Sequence, residues 1–257
     1  MSFFKQILNT IPRPLLISLS NIARPVLDIY YRGNRYTDPL NNKSYRKFLP
    51  YGYVKIRENV LSPGTLSLER HRLLWLYLTN ETDLLTQKIK VLHIAPEQAF
   101  YKKFKQLKNW DYITSDLHSP LADIKADITN LPFPDNEFDL ILCNHVLEHI
   151  PDDTQAMKEL YRVMKPNGMG IFQIPLDKNR QQTFQDDSIT DRAERTRIFG
   201  QYDHVRVYGM DYFDKLKSIG FDVHPIDYTQ NFSLKEIEKY RLEKGEILPV
   251  VYKKSLL

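Results

Sequence analysis

The chain has 257 residues, 42% hydrophobic and 26% charged, with a formal net charge of +4. These values bound one large folded domain with an accessory segment, and they exclude wholesale disorder, a polytopic membrane protein and two independent enzymes. The only cysteine, Cys143, excludes an internal disulfide and points to a reducing cytoplasm.

The first 80 residues are basic, with 12 Lys/Arg against 4 Asp/Glu, whereas the remainder carries 24 against 28. Such a basic end suits an anionic membrane surface, a nucleic acid or an acidic partner, or is simply a solvated face. Residues 1–33 place apolar side chains at helical spacing (Phe4, Ile7, Leu8, then Leu16, Ile17, Ile22, Val26, Leu27, Tyr30), interrupted by Pro12, Pro14 and Pro25. The pattern predicts broken amphipathic helices forming an arm, which lies on lipid, on its own core or on a second subunit. Peripheral contact with the inner face of a membrane and a homodimer both stay open. The apolar stretch Pro14–Ile22 is shorter than the about 20 residues of a spanning helix, and no small-residue cleavage site follows it. Residues 34–66 alternate aromatic with basic residues between prolines and glycines and read as a short ribbon. The domain boundary is expected at 66/67, where LERHRLLWLYLTNET begins a helix near Ser67.

From Lys88 onward, short apolar runs alternate with helical ones. KVLHIA, DYITSD, FDLILCN, GIFQIP, FDVHPID and ILPVVYK read as strands, with helices near 97–107, 152–164, 210–219 and 233–243. This order predicts an α/β fold, a Rossmann-like and mostly parallel sheet with helices on both faces. A short strand at 122–128 would make seven strands. In such a sheet a ligand sits outside the carboxyl ends of the strands. The residues there are Ala95, Pro96 and Glu97 after the first strand, Asp116 and Leu117 after the second, Asp127 and Ile128 next, and then Asn144.

That ordered series, with LPFPDNEFDLILCN, VLEHI and ELYRVMKPNG, resembles the class I S-adenosylmethionine-dependent methyltransferases, of the type 11 kind, over residues 90–175. The resemblance implies S-adenosylmethionine as cofactor, Asp116 on its ribose, Asp127 and the Ile128 backbone at the adenine, and Asn144 lining the methionine side. One departure is large: where the family writes an acidic residue followed by G-x-G-x-G, this chain has His93-Ile94-Ala95-Pro96-Glu97-Gln98-Ala99. Either Glu97 pairs with the ammonium of the methionine moiety, or the turn is filled and the chain is a non-catalytic binding or scaffold protein. A nicotinamide-dependent enzyme is the weakest reading, because its G-x-G-x-x-G turn is absent.

The stretches HIAPE, SLERHRLLWLYL and FGQYDHVRVYG are similar to a bacterial subgroup of these enzymes. Its members carry paired Cys-x-x-Cys knuckles around the aromatic ribbon, suggestive of structural zinc. The matching places here read Asp38-Pro39-Leu40 and Leu61-Ser62-Pro63-Gly64, so a metal-free remnant is expected. For the acceptor side, His145 is the candidate general base, with a helix-entry hydrogen bond as the alternative. His149 reads as structural, and His224 carries no assignment. Gln201–Tyr208 is expected to be a lid in which His204 takes a proton and Arg206 holds an anionic acceptor. The acceptor is expected to be a small molecule, lipid or sugar. Nucleic acid is disfavoured, because the basic end shows no RNA-binding motif.

Overall fold

The structure, a computed structural model, describes residues 13–52 and 56–255, with side chains from residue 22 onward. Helix α1, Arg13–Tyr30, is continuous, so Pro14 and Pro25 do not break it. Pro14 sits at the helix start, where its missing N–H costs nothing, and Pro25 forgoes a single intrahelical bond. Phe4, Ile7, Leu8 and Pro12 lie outside the described residues. Ile22, Val26, Ile29 and Tyr30 are exposed along α1, yet no described helix is long and apolar enough to cross a membrane.

The expected ribbon is two antiparallel pairs, β1 (Arg32–Asp38) with β2 (Lys43–Tyr45), and β3 (Leu49–Tyr51) with β4 (Arg57–Leu61). Tyr36, Tyr45 and Phe48 form its own small core. Helix α1 is tied to it through Asp28, which accepts from Tyr45 Oη at 2.6 Å and Lys43 Nζ at 2.6 Å. The Asp38 carboxylate accepts from Leu40 N–H, Thr65 Oγ1 and Ser67 Oγ.

Helix α2, Glu69–Asn80, follows. Next come β5 (Ile89–Ile94), α3 (Gln98–Lys105), β6 (Trp110–Ser115), β7 (Phe138–Cys143), α4 (Asp153–Val163) and β8 (Met164–Ile171). Two short strands, β9 (Phe184–Gln185) and β10 (Arg206–Val207), flank α5 (Arg192–Phe199). The chain closes with α6 (Tyr212–Ile219), β11 (Phe221–Ile226), α7 (Leu234–Tyr240) and β12 (Leu248–Lys253).

The central sheet has six strands, in the order β11-β12-β8-β7-β5-β6. Strands β6, β5, β7 and β8 are parallel, and β12 runs antiparallel to both its neighbours. The seventh strand expected at 122–128 is absent; only an isolated bridge, Ser115 to Ile124, forms there. Asp123 accepts instead from Thr114 N–H and Oγ1 of β6, and Asp127 caps its own turn through Thr129.

Alternation along β5 explains the two cores. Leu92 and Ile94 pack with Met157, Leu160, Phe213 and Leu216 of α4 and α6 on one face. Val91 packs with Leu73 and Leu74 of α2 and with Phe100 and Phe104 of α3 on the other. Because β6 and β7 lie on opposite sides of β5, the strand order reverses there, and the crevice of an open α/β sheet opens between the ends of β5 and β7.

Arg72 of α2 joins the ribbon to this sheet assembly. Fully buried, its guanidinium donates to the carbonyls of Val60, Ser67, Tyr240 and Arg241. Arg72→Ala leaves those carbonyls without their donors, with an expected stability loss of about 3–5 kcal/mol, as for a broken buried charge network. Urea unfolding of the two proteins measures it.

Candidate active site

Glu97 occupies the switch point. Its backbone caps α3, and its carboxylate is nearly buried, with a side-chain exposure of 12%. His71 Nε2 donates to Oε1 at 2.8 Å and Asn144 Nδ2 donates to Oε2 at 3.0 Å. His93 Nε2 stands 3.4 Å from Oε2, and Arg70 Nε lies 4.0 Å from Oε1. The tautomer of His71 is fixed, since Leu68 N–H donates to Nδ1 at 3.0 Å and leaves the proton on Nε2. Burial lowers His71 to about 4, which agrees with a neutral ring. Burial would raise the Glu97 carboxyl, but the His71 and His93 contacts outweigh it and hold the group well below the usual carboxylate range.

The turn before Glu97 keeps the backbone that glycine would favour. Ala95 adopts φ 49° and His145, after β7, adopts φ 54°, so both strand ends store strain at the crevice. Asp116 accepts at Oδ1 from the N–H groups of His118 and Ser119, both at 2.6 Å. Beyond it Leu117 is exposed. Asp127 Oδ1 accepts from Thr129, while Ile128 is buried beneath the turn.

Several buried polar atoms here have no hydrogen-bond partner: His93 Nε2 near the end of β5, Ser115 Oγ ending β6, His145 Nε2 after β7, Gln173 Oε1 and Nε2 after β8, and Arg70 Nε on α2. Buried polar groups are ordinarily satisfied. Their concentration at the carboxyl ends of four neighbouring strands fits a polar ligand.

A cleft of about 360 Å³ adjoins this crevice, with Arg57, Arg70, His145, Asp177, Lys178 and Glu246 among its lining residues. Asp116 and Asp127 stand outside it. Arg57 belongs to β4 and pairs with Glu69 at 2.8 Å, so the ribbon supplies one wall. His145 meets Glu148, with Nδ1 3.2 Å from Oε1, and burial lowers its pKa.

Gln201–Tyr208 departs from the lid expected of it. His204 is buried with Nδ1 on Phe199 O at 3.0 Å. The Arg206 guanidinium is consumed, donating to the carbonyls of Leu147, Ile150 and Pro151 and to Gln185 Oε1. No N–H is left for an acceptor, because every donor of the fork is engaged. Tyr208 is buried, with its hydroxyl donating to Asp153 Oδ2 at 2.5 Å. The segment is a strap holding the 147–153 turn. His149 stacks edge-on against His204 with ring centroids 4.7 Å apart, and His224 lies apart on β11 beside Asp222.

Sequence reasoning passed over Arg70, His71 and Glu246. The motif SLERHRLLWLYL pointed at the first two, since two polar, donor-bearing side chains at the start of an otherwise apolar helix need a partner. Glu246 had no such signal.

With the geometry in hand, residues 80–172 match the family model described as a methyltransferase domain. A demethylmenaquinone methyltransferase of Staphylococcus saprophyticus is 45% identical over 56 residues, 22% of this chain and 24% of that protein. One from Listeria welshimeri is 43% identical over 54 residues, 21% and 22% of the two chains. The alignment thus spans about a quarter of the length of these relatives. Among solved structures, an S-adenosylmethionine dependent methyltransferase from Mesorhizobium loti is similar with a TM-score of 0.49 at 12% identity, covering 70% of this chain and 98% of that one. A 1,6-didemethyltoxoflavin-N1-methyltransferase from Burkholderia thailandensis, bound to S-adenosylhomocysteine, has a TM-score of 0.47 at 12% identity, covering 73% and 78%. The match to a methyltransferase domain is thus confined to residues 80–172, and the six-stranded, mostly parallel sheet flanked by helices is Rossmann-like.

The cleft also carries a pH dependence. Burial, with Glu243 nearby, raises Glu246 from 4.5 to about 7. A raised folded-state pKa favours the protonated form, so this contribution to stability is full below the unfolded value and is lost as pH rises through about 7. Glu246→Gln should match the parent near about pH 4 and be the more stable protein near about pH 8. Urea midpoints at the two pH values measure the difference.

Proposed function

We propose that the chain is an S-adenosylmethionine-dependent methyltransferase whose acceptor is a small molecule bound in the cleft beside His145. The set of unpartnered buried polar atoms at the ends of β5 to β8 carries this reading, since a polar ligand in the crevice would satisfy them. Asp116 keeps Oδ2 for ribose hydroxyls, and the exposed Leu117 and the Asp127–Ile128 turn flank the adenine. Ala95 holds the left-handed turn that brings backbone close to the cofactor.

The amino-acid end explains the lost glycines. Arg70 and Glu97, opposite charges 4.0 Å apart, complement a zwitterion: Glu97 takes the α-ammonium and Arg70 the α-carboxylate. Asn144 aligns Glu97. The bound sulfonium supplies an already activated methyl group. The task left to the chain is alignment of an acceptor atom in the cleft, with bare His145 Nε2 placed to take its proton. His204 and Arg206 are excluded from that role by their burial in the strap.

Calorimetry with S-adenosylhomocysteine and with methylthioadenosine, which lacks the amino-acid end, tests the assignment. Asp116→Ala should weaken both by about 10–100-fold, the loss of a charge-assisted hydrogen bond. Arg70→Ala and Glu97→Gln should weaken only the former. If the parent protein binds neither, the scaffold reading takes its place.

A further inference from the structure

We propose that Glu148, His149 and His204 form a binding site for one divalent first-row transition-metal ion, one side chain away from the acceptor cleft. One ligand atom from each of the three residues lies within 4.8 Å of the others. Tetrahedral bonds of about 2.1 Å place ligand atoms about 3.4 Å apart, so modest side-chain rotations close the set.

The Glu148 carboxylate gives an independent reason. It is fully buried, and neither oxygen has a hydrogen-bond partner. His145 Nδ1 stands 3.2 Å from Oε1 without forming a hydrogen bond to it. A buried anion without hydrogen bonds is costly and calls for a compensating charge. Arg206, on the strap that carries His204, spends its N–H groups on the carbonyls around it and on Gln185. A buried carboxylate facing two imidazoles is a donor set suited to a metal ion.

The two rings are oriented as metal-binding histidines are. His204 Nδ1 donates to Phe199 O at 3.0 Å, and His149 Nδ1 donates to Asp203 O at 3.3 Å. Both rings therefore keep Nε2 bare, and the backbone carbonyls behind them fix tautomer and orientation. The strap provides the rigidity: Val205 N–H donates to Glu148 O at 3.0 Å, and Arg206 clamps the carbonyls of Leu147, Ile150 and Pro151. This contact docks the segment carrying His204 onto the turn carrying the other two ligands. His149 retains a side-chain exposure of 28%, which gives the ion a way in. Two imidazoles and a carboxylate suit Zn²⁺, Co²⁺, Mn²⁺ or Fe²⁺ rather than Ca²⁺ or Mg²⁺, and three protein ligands leave positions open for water or an acceptor oxygen.

The test is a titration of untagged, chelator-treated protein with Co²⁺, followed by its visible absorption, with Zn²⁺ as competitor and Mg²⁺ as control. One Co²⁺ per chain should bind and be displaced by Zn²⁺ but not by Mg²⁺. His149→Ala, at a half-exposed position, and the isosteric Glu148→Gln should each lower affinity by more than about 10-fold while circular dichroism is unchanged. Absence of saturable binding at about 1 mM Co²⁺, a range in which a specific site is filled, overturns the proposal. So does equal affinity in whichever of the two variants folds, or displacement by Mg²⁺. No nucleoside takes part, so failure of S-adenosylhomocysteine binding leaves this result independent.

Discussion

Glu97 is the residue on which the arrangement of the crevice depends. A carboxylate this deeply placed is tolerated only when its charge is hydrogen-bonded on both oxygens. The donors come from α2 through His71 and from the end of β7 through Asn144. One side chain thus fixes three elements about the point where the strand order reverses. The geometry of His71 depends in turn on Leu68 N–H, so the start of α2 cannot shift without disturbing the crevice.

The polar groups around the site divide by whether their bonding is complete. Arg72 and Arg206 are both fully buried and bonded to backbone carbonyls, and each holds one segment against another. Arg70, His145, Glu148 and Gln173 keep buried atoms without partners. Such incomplete satisfaction is expensive in a folded core, and its concentration along one sheet edge marks where binding would recover the cost.

The ribbon has a comparable division of labour. Asp38, Thr65 and Ser67 close its base with hydrogen bonds, and Arg57 carries it to the rim of the cleft. An accessory segment built on aromatic packing therefore contributes a charged wall to the site.

What the sequence determined by itself is the periodic part of the molecule. Apolar runs such as KVLHIA and FDLILCN can be satisfied only as buried parallel strands, and the helices between them appear within a few residues of their expected bounds. The positions of Asp116 and Glu97 at strand ends followed from the same pattern. The tertiary structure decided which polar residues are spent and which remain available. Arg206 and His204 read from sequence as a receptive pair, because a guanidinium in a long connection is usually solvated; the fold instead brings three carbonyls of the 147–151 turn to Arg206. It also withholds a seventh strand, since Asp123 is held by Thr114 of β6 and Asp127 bonds within its own turn. It seats His204 beside Glu148 and His149, 55 residues away along the chain from the nearer of them. Periodicity reports burial of a face because it repeats along the chain, whereas hydrogen-bond partners distant in sequence leave no repeating signal and exist only once the layers have packed.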